Sequence, residues 1–283
     1  MVKACIVYFS QTGNTENVAF TIMGRLTSAG INTICLPLSD VVDFPEAFEG
    51  IDILGIGFPT FFGYPPPMVM DLIDDLKDIK GESTFVFTTY GGTTAGDSLY
   101  DAACALRRKG FGILGGLKLE GADSYPQSLS IKKNAGRPNF EDLAIAEEFT
   151  DKILDAFNSG RSIDPEKLAS STKYFEDRRE ADRKSTVAEM RKHVEGKIKF
   201  NPELCLFCES CKKSCPTKSI TTGDKFPEFS WRCIGGMRCY QCVRVCPGKA
   251  LSVDYPGPIE EYKKFMEIAA DSEEEKRRVY VVA

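Results

Sequence analysis

The chain has 283 residues, 42% of them hydrophobic and 27% charged, with a formal net charge of −5. That length is generous for one compact core and comfortable for two. No apolar run approaches the roughly 20 residues of a membrane span, and the opening M-V-K-A-C-I-V-Y-F is too short for a signal peptide, which reads as a cytoplasmic chain. Residues 1–160 hold 12 Lys/Arg against 21 Asp/Glu, and the remainder 24 against 20. An acidic front half would repel a polyanion, so nucleic-acid binding there is disfavoured.

Strand and helix patterns alternate through the first 160 residues. Val2–Phe9 is an apolar, β-branched run long enough for a buried strand. Thr15–Ala29 repeats apolar residues every three or four positions (Val18, Ile22, Leu26), and Gly30 stops it. Ile31–Leu36 and Ile51–Phe58 read as strands, Met68–Ile79 as a helix, Thr84–Thr89 as a strand, and Ala95–Lys109 as a helix ended by Gly110. A glycine-interrupted strand, Phe111–Glu120, and a helix, Phe140–Asn158, close the unit. Strands alternating with helices predict a mostly parallel α/β sheet.

Residues 161–195 change character. Runs such as E-D-R-R-E-A-D-R-K with few apolar positions predict a charged, solvated helical connector. Residues 196–256 are cysteine-rich. The tail 257–283 carries a helical pattern, E-E-Y-K-K-F-M-E-I, then R-R-V-Y-V-V-A, an apolar stretch that fits against either unit.

Three loops carry the chemistry of the front unit. The first strand runs into Ser10-Gln11-Thr12-Gly13-Asn14-Thr15 and then a helix. Hydroxyls and successive backbone N–H groups at a helix N-terminus suit a phosphate. Pro59-Thr60-Phe61-Phe62-Gly63 follows the third strand, and Thr88-Thr89-Tyr90-Gly91-Gly92 the fourth. In an open α/β sheet such loops meet beyond the carboxyl ends of the strands. The first loop resembles the phosphate loop of flavodoxins, S/T-x-T-G-x-T, and the second the P-T-x-F-G element of flavodoxin-like quinone reductases. The resemblance implies a doubly wound, five-stranded parallel sheet of order 2-1-3-4-5 and bound FMN. Its cradle would be Ser10–Thr15, its surroundings Pro59–Gly63, and its apolar walls Phe61 or Phe62 and Tyr90, with Thr89, Gly91 and Gly92 at its edge. An adenine-binding G-x-G-x-x-G is absent, which favours FMN over FAD.

Eight of the 11 cysteines fall between Cys205 and Cys246. Clustering without an export signal favours metal ligation over disulfides. Cys205-x2-Cys208-x2-Cys211-x3-Cys215-Pro216 is the bacterial ferredoxin run, and Cys233-x5-Cys239-x2-Cys242-x3-Cys246-Pro247 a second copy with a longer first gap. Zinc also takes four cysteines, but its modules rarely use this run. The segment resembles the two-cluster ferredoxins, of small α+β fold. The resemblance implies one 4Fe–4S cluster on Cys205, Cys208, Cys211 and Cys246, and another on Cys233, Cys239, Cys242 and Cys215. Lys212, Lys213, Lys218, Arg232, Arg238, Arg244 and Lys249 surround them, and cations near an anionic cluster favour its reduction.

The whole arrangement resembles the flavodoxin–ferredoxin fusion proteins (EFR type). It implies electron transfer among FMN, the clusters and redox-protein partners, with a homodimer left open. Two alternatives stand beside it: an FMN-dependent reductase of a small acceptor such as a quinone, and a fixed subunit of a larger redox complex. No hydrolytic set can be assembled around the lone histidine, His193.

Overall fold

A computed structural model describes residues 1–43, 45–76, 83–124, 133–180, 198–222, 227–229, 239–253 and 259–283. Cys233, His193, Arg232, Arg238, residues 181–195 of the connector and the end of the helix expected to reach Ile79 lie outside the described residues.

The front unit is a three-layer α/β sandwich. Its strands are β1 (Lys3–Tyr8), β2 (Asn32–Pro37), β3 (Ile53–Pro59), β4 (Ser83–Tyr90) and β5 (Gly112–Glu120). They pair in parallel in the order β2-β1-β3-β4-β5, the flavodoxin-like doubly wound order. β1, β3, β4 and β5 are buried on both faces, so near-continuous apolar runs were needed there rather than alternation, while β2 at the edge is half-exposed. From β1, Ala4, Ile6 and Tyr8 face one layer, with helices α1 (Asn14–Ser28) and α4 (Phe140–Asn158). Cys5, Val7 and Phe9 face the other, with α2 (Pro67–Asp75) and α3 (Ser98–Arg108). Two glycines of β3 make room for its neighbour's rings: a Cβ on Gly55 would lie 2.4 Å from Phe85, and one on Gly57 2.0 Å from Phe87.

The sheet has a sixth strand. The C-terminal β10 (Tyr280–Val282) adds antiparallel to β5, with Val281 opposite Gly116 and Val282 opposite Gly115. This settles where the final apolar stretch docks and closes the free edge of β5. The glycines that interrupt β5 permit it: a Cβ on Gly115 would meet Val281 O at 2.6 Å, and one on Gly116 would meet Leu168 at 2.7 Å.

The first half of the charged connector exposes most of its charges but packs its apolar side chains on the front unit. Leu168 and Phe175, the latter on α5 (Lys173–Glu180), are buried in the front unit's core. The Phe175 ring occupies a slot between Gly63 (φ 85°) and Gly96 (φ 55°), each of whose Cβ atoms would fall within 2.5 Å of it. Two sparse apolar residues sufficed because the slot was made by glycines far away in sequence.

The tail crosses back as α8 (Ile259–Ile268) and α9 (Glu273–Arg277) before β10. Lys118, on β5, is buried between Asp271 (3.5 Å) and Glu275 (2.6 Å). Thr94 donates to Asp271 at 2.5 Å, Ser171 to Glu275 at 2.8 Å, and Arg278 pairs with Glu275 at 3.0 Å. Burial raises Asp271 above the ordinary carboxylate value despite Lys118. Burial works the same way on Glu275, but Lys118 and Ser171 outweigh it and hold that carboxyl low.

The cysteine-rich unit is small: β6 (Ile198–Phe200) pairs antiparallel with β9 (Leu251–Val253), and β7 (Ile220–Thr222) with β8 (Pro227–Phe229). Short helical turns α6 (Ser210–Lys213) and α7 (Gln241–Arg244) lie between, around Ile220, Cys242 and Leu251. Among the described residues no helix is long and apolar enough to cross a membrane.

Candidate functional site

Beyond the carboxyl ends of β1, β3, β4 and β5 lies an open cleft. Ser10, Gln11, Thr12, Asn14 and Thr15 line one side of it. Gly13 (φ 90°) makes the turn into α1 and provides no side-chain cap, while the Ser10 hydroxyl accepts the Gly13 N–H at 3.1 Å. The first N–H groups of this 15-residue helix are therefore left without a side-chain acceptor, at the positive end of its dipole. That donor set fits a phosphate. The hydroxyls are not equivalent, however. Thr15 is buried and shares a 2.8 Å hydrogen bond with Thr89, whereas Thr12 is exposed at the cleft.

Pro59, Thr60, Phe61, Phe62 and Gly63 form the second wall. Thr60 is braced by Thr88 and Ser98, at 2.8 and 2.9 Å. The two phenylalanines divide the work. Phe61 is 9% exposed and packs edge-on to Phe9, while Phe62, in the left-handed region, is 37% exposed at the cleft. From the third loop, Thr89, Tyr90 and Gly91 line the cleft, and burial raises the Tyr90 phenol well above its ordinary value. Gly91 and Gly92 admit protein rather than open space: their Cβ positions fall 2.6 Å from Asp123 and 2.2 Å from Asn134.

Several lining residues carried no expectation from the sequence. Ala122, Asp123 and Ser124 follow β5, and the rule that ligands sit at strand ends would have found them. Phe265 and Met266 come from α8 in the tail and had no such signal. Phe265 meets Phe62 edge-on, centroids 5.6 Å apart, and the Thr93 hydroxyl donates to the Met266 sulfur at 3.0 Å. Lys133, pulled below its ordinary value by burial, donates to Thr93 from behind.

The cysteines gather around two further cavities. Cys205, Cys208, Cys211 and Cys246 line one, with Leu206, Phe207 and Leu251. Cys215, Cys239 and Cys242 line the other, with Ile198, Ile220 and Phe229. The thiols stand on the walls of these cavities rather than within a single ion's coordination sphere; among the described residues no three His, Cys, Asp or Glu side chains are close enough to share one ion. The backbone repeats as the sequence does. A shift of 31 residues carries Cys208, Cys211 and Cys215 onto Cys239, Cys242 and Cys246. It also carries the left-handed Glu209 and Lys218 onto the left-handed Tyr240 and Lys249. Ser219 N–H donates to the Cys215 sulfur and Ala250 N–H to the Cys246 sulfur, both at 3.3 Å. Donors aimed at sulfur are what thiolate ligands of a cluster use.

The two units touch beside the cleft. Lys218 pairs with Asp40 at 2.7 Å, and Arg244 donates to the Ser124 carbonyl at 3.1 Å. Cys239, 6% exposed, belongs to the same apolar cluster as Phe9 and Phe61.

The sheet order and the strand-end cleft define the front unit as flavodoxin-like in fold. The family described as a 4Fe-4S dicluster domain matches residues 197–247, which hold all eight motif cysteines. Solved structures similar to the front unit include a flavodoxin from the domain Archaea, 17% identical, with a TM-score of 0.45 over 56% of this chain and 99% of that one. Flavodoxin 2 from Bacillus cereus is 24% identical, with a TM-score of 0.40 over 54% of this chain and 99% of its own. Rubredoxin oxygen:oxidoreductase from Desulfovibrio gigas is 16% identical, with a TM-score of 0.46; the match covers 56% of this chain and 36% of that one.

Proposed function

We propose that this is an electron-transfer flavo-iron–sulfur protein of the flavodoxin–ferredoxin fusion type, passing electrons between FMN, two 4Fe–4S clusters and an external redox protein. The observation that carries the reading is the sorting of the cysteines. Two cavities in one small unit are lined by the two ligand sets that the ferredoxin pattern requires, apart from Cys233, and that unit is packed beside a cleft lined by the loop that opens α1 and by Phe61, Phe62 and Tyr90.

Bound FMN supplies a couple that exchanges one or two electrons, and a 4Fe–4S cluster one that exchanges a single electron. The chain's own residues do the rest. The N–H groups at the start of α1 and the Thr12 hydroxyl hold the phosphate, and Phe62 and Tyr90 wall the ring. Phe265 and Met266 cover part of the cleft and limit the entry of water. Cys205, Cys208, Cys211 and Cys246 hold one cluster; Cys215, Cys233, Cys239 and Cys242 hold the other. Ser219 and Ala250 donate to two of those sulfurs and stabilise the thiolate form.

Anaerobically prepared protein should release about one FMN per chain and contain about eight irons and eight labile sulfides. Cys242→Ser and Cys246→Ser should each impair a different cluster, distinguishable by EPR. Preparations that reproducibly hold four irons, or no flavin, refute the assignment.

A further inference from the structure

Residues 93–97 join the third cleft loop to α3, and Thr93 and Thr94 among them line the cleft. Gly92 (φ 80°) precedes this loop and Gly96 (φ 55°) lies near its end. Glycine leaves a backbone many shapes to choose from. The loop is therefore fixed by what it is bonded to.

Its polar groups reach two segments far away in sequence. Asp97, the N-cap residue of α3, makes no side-chain capping bond. Its carboxylate, 1% exposed, instead accepts from the Arg179 guanidinium at 2.5 Å and from the Ser170 N–H at 3.0 Å. Arg179 also donates to the Ser170 carbonyl at 2.7 Å, which closes a ring of three bonds. At the loop's other end, Asp271 accepts from the Thr94 hydroxyl at 2.5 Å and from the Ala95 N–H at 3.4 Å. The Asp271 N–H in turn donates to the Thr93 carbonyl at 2.9 Å.

Ser170 and Arg179 lie on the connector that leads into the cysteine-rich unit, and Asp271 lies on the tail that leaves it. The way into that unit and the way out are thus fastened to one short loop of the cleft, one at each end. Apolar contacts would fasten these segments too. A buried carboxylate costs desolvation, and what it gives in return is a fixed direction. Fixed direction is what a binding loop needs. Arg179 itself lies outside the residues that line the cleft, so its influence there runs through Asp97.

We propose that Asp97 and Asp271 are positioning residues for the flavin: with Arg179 they fix the 93–97 loop, and so the places of Thr93 and Thr94 at the cleft. By linkage, occupancy of the cleft then steadies the connector in turn. The inference rests on FMN occupying the cleft, and the experiment separates the two.

Full-length protein with its clusters is freed of FMN and titrated with FMN, at a temperature well below the Tm of each variant. Wild type that takes up no FMN refutes the proposed function. Where it binds, Arg179→Met should raise the Kd at least about fivefold and change the visible circular dichroism of the bound flavin. Adding Asp97→Asn to Arg179→Met should raise the Kd little further, because the two side chains act as one unit. Arg179→Lys keeps a cation but not the paired N–H groups. Its Kd should fall between wild type and Arg179→Met, and it carries the test where the methionine variant does not fold. Hydrogen exchange read by mass spectrometry gives the converse: FMN should slow exchange over 173–180 in the wild type and not in Arg179→Met. An unchanged Kd beside a lowered Tm, additive effects of the two substitutions, or wild-type exchange over 173–180 that is indifferent to FMN would overturn the proposal.

Discussion

Replacing Lys118 by methionine removes the ammonium that two buried carboxylates share. The side chains of Lys118, Asp271 and Glu275 are 6%, 0% and 4% exposed, so water cannot take the cation's place. Loss of one partner from such a set typically costs about 3–5 kcal/mol. Here Asp271 keeps the Thr94 hydroxyl, and Glu275 keeps Ser171 and Arg278, which places the expected loss near the lower end, about 3 kcal/mol. For a unit of this size that is a fall in Tm of about 6–12 °C. The pH dependence gives the sharper test. Without the ammonium both carboxyls titrate higher in the folded protein than in the wild type. A carboxyl raised on folding destabilises as pH climbs from its unfolded value, about 3.9 for Asp and 4.3 for Glu, through its folded value. The gap between wild type and variant should therefore be widest at pH 8 and narrow toward pH 5. Denaturant melts followed by circular dichroism at several pH values measure it. A gap below about 1 kcal/mol, or one that does not change with pH, would refute the buried-network account. Because α8, α9 and β10 lie on the same tail, the variant should also hold FMN more weakly.

Phe175→Ala should cost about 3–5 kcal/mol by empties and lost contacts in the glycine slot, read by chemical denaturation; a loss under about 1.5 kcal/mol would mean that the slot collapses around the gap. Thr12→Ala should weaken FMN binding by about 1–3 kcal/mol with little change in Tm. Thr15→Ala should lower Tm as well, since its hydroxyl is bonded to Thr89; equal effects of the two on Tm would contradict that division. Gly57→Ala places a methyl 2.0 Å from the Phe87 ring and should destabilise by about 1–3 kcal/mol through overpacking, again measured by denaturation.

The sequence by itself determined the order of the front unit's elements and marked the loops that meet at the cleft. Strand and helix order followed from period and glycine stops such as Gly30 and Gly110, because buried parallel strands and amphipathic helices have distinct local signatures. The cleft loops and the cysteine sets were legible because each is a short motif whose geometry is set within a few residues. Only the tertiary structure decided what depends on distant segments meeting. Leu168 and Phe175 looked like stray apolar residues in a charged stretch until Gly116, Gly63 and Gly96 provided their places. The tail's last strand found β5, rather than the cysteine-rich unit, because Gly115 admits its backbone and Lys118 answers its two acids. Phe265 and Met266 reach the cleft by that same route, and Cys239 joins the cluster of Phe9 and Phe61 because the two units pack there. Complementarity of this kind is a property of pairs of surfaces, and no single stretch of sequence carries it.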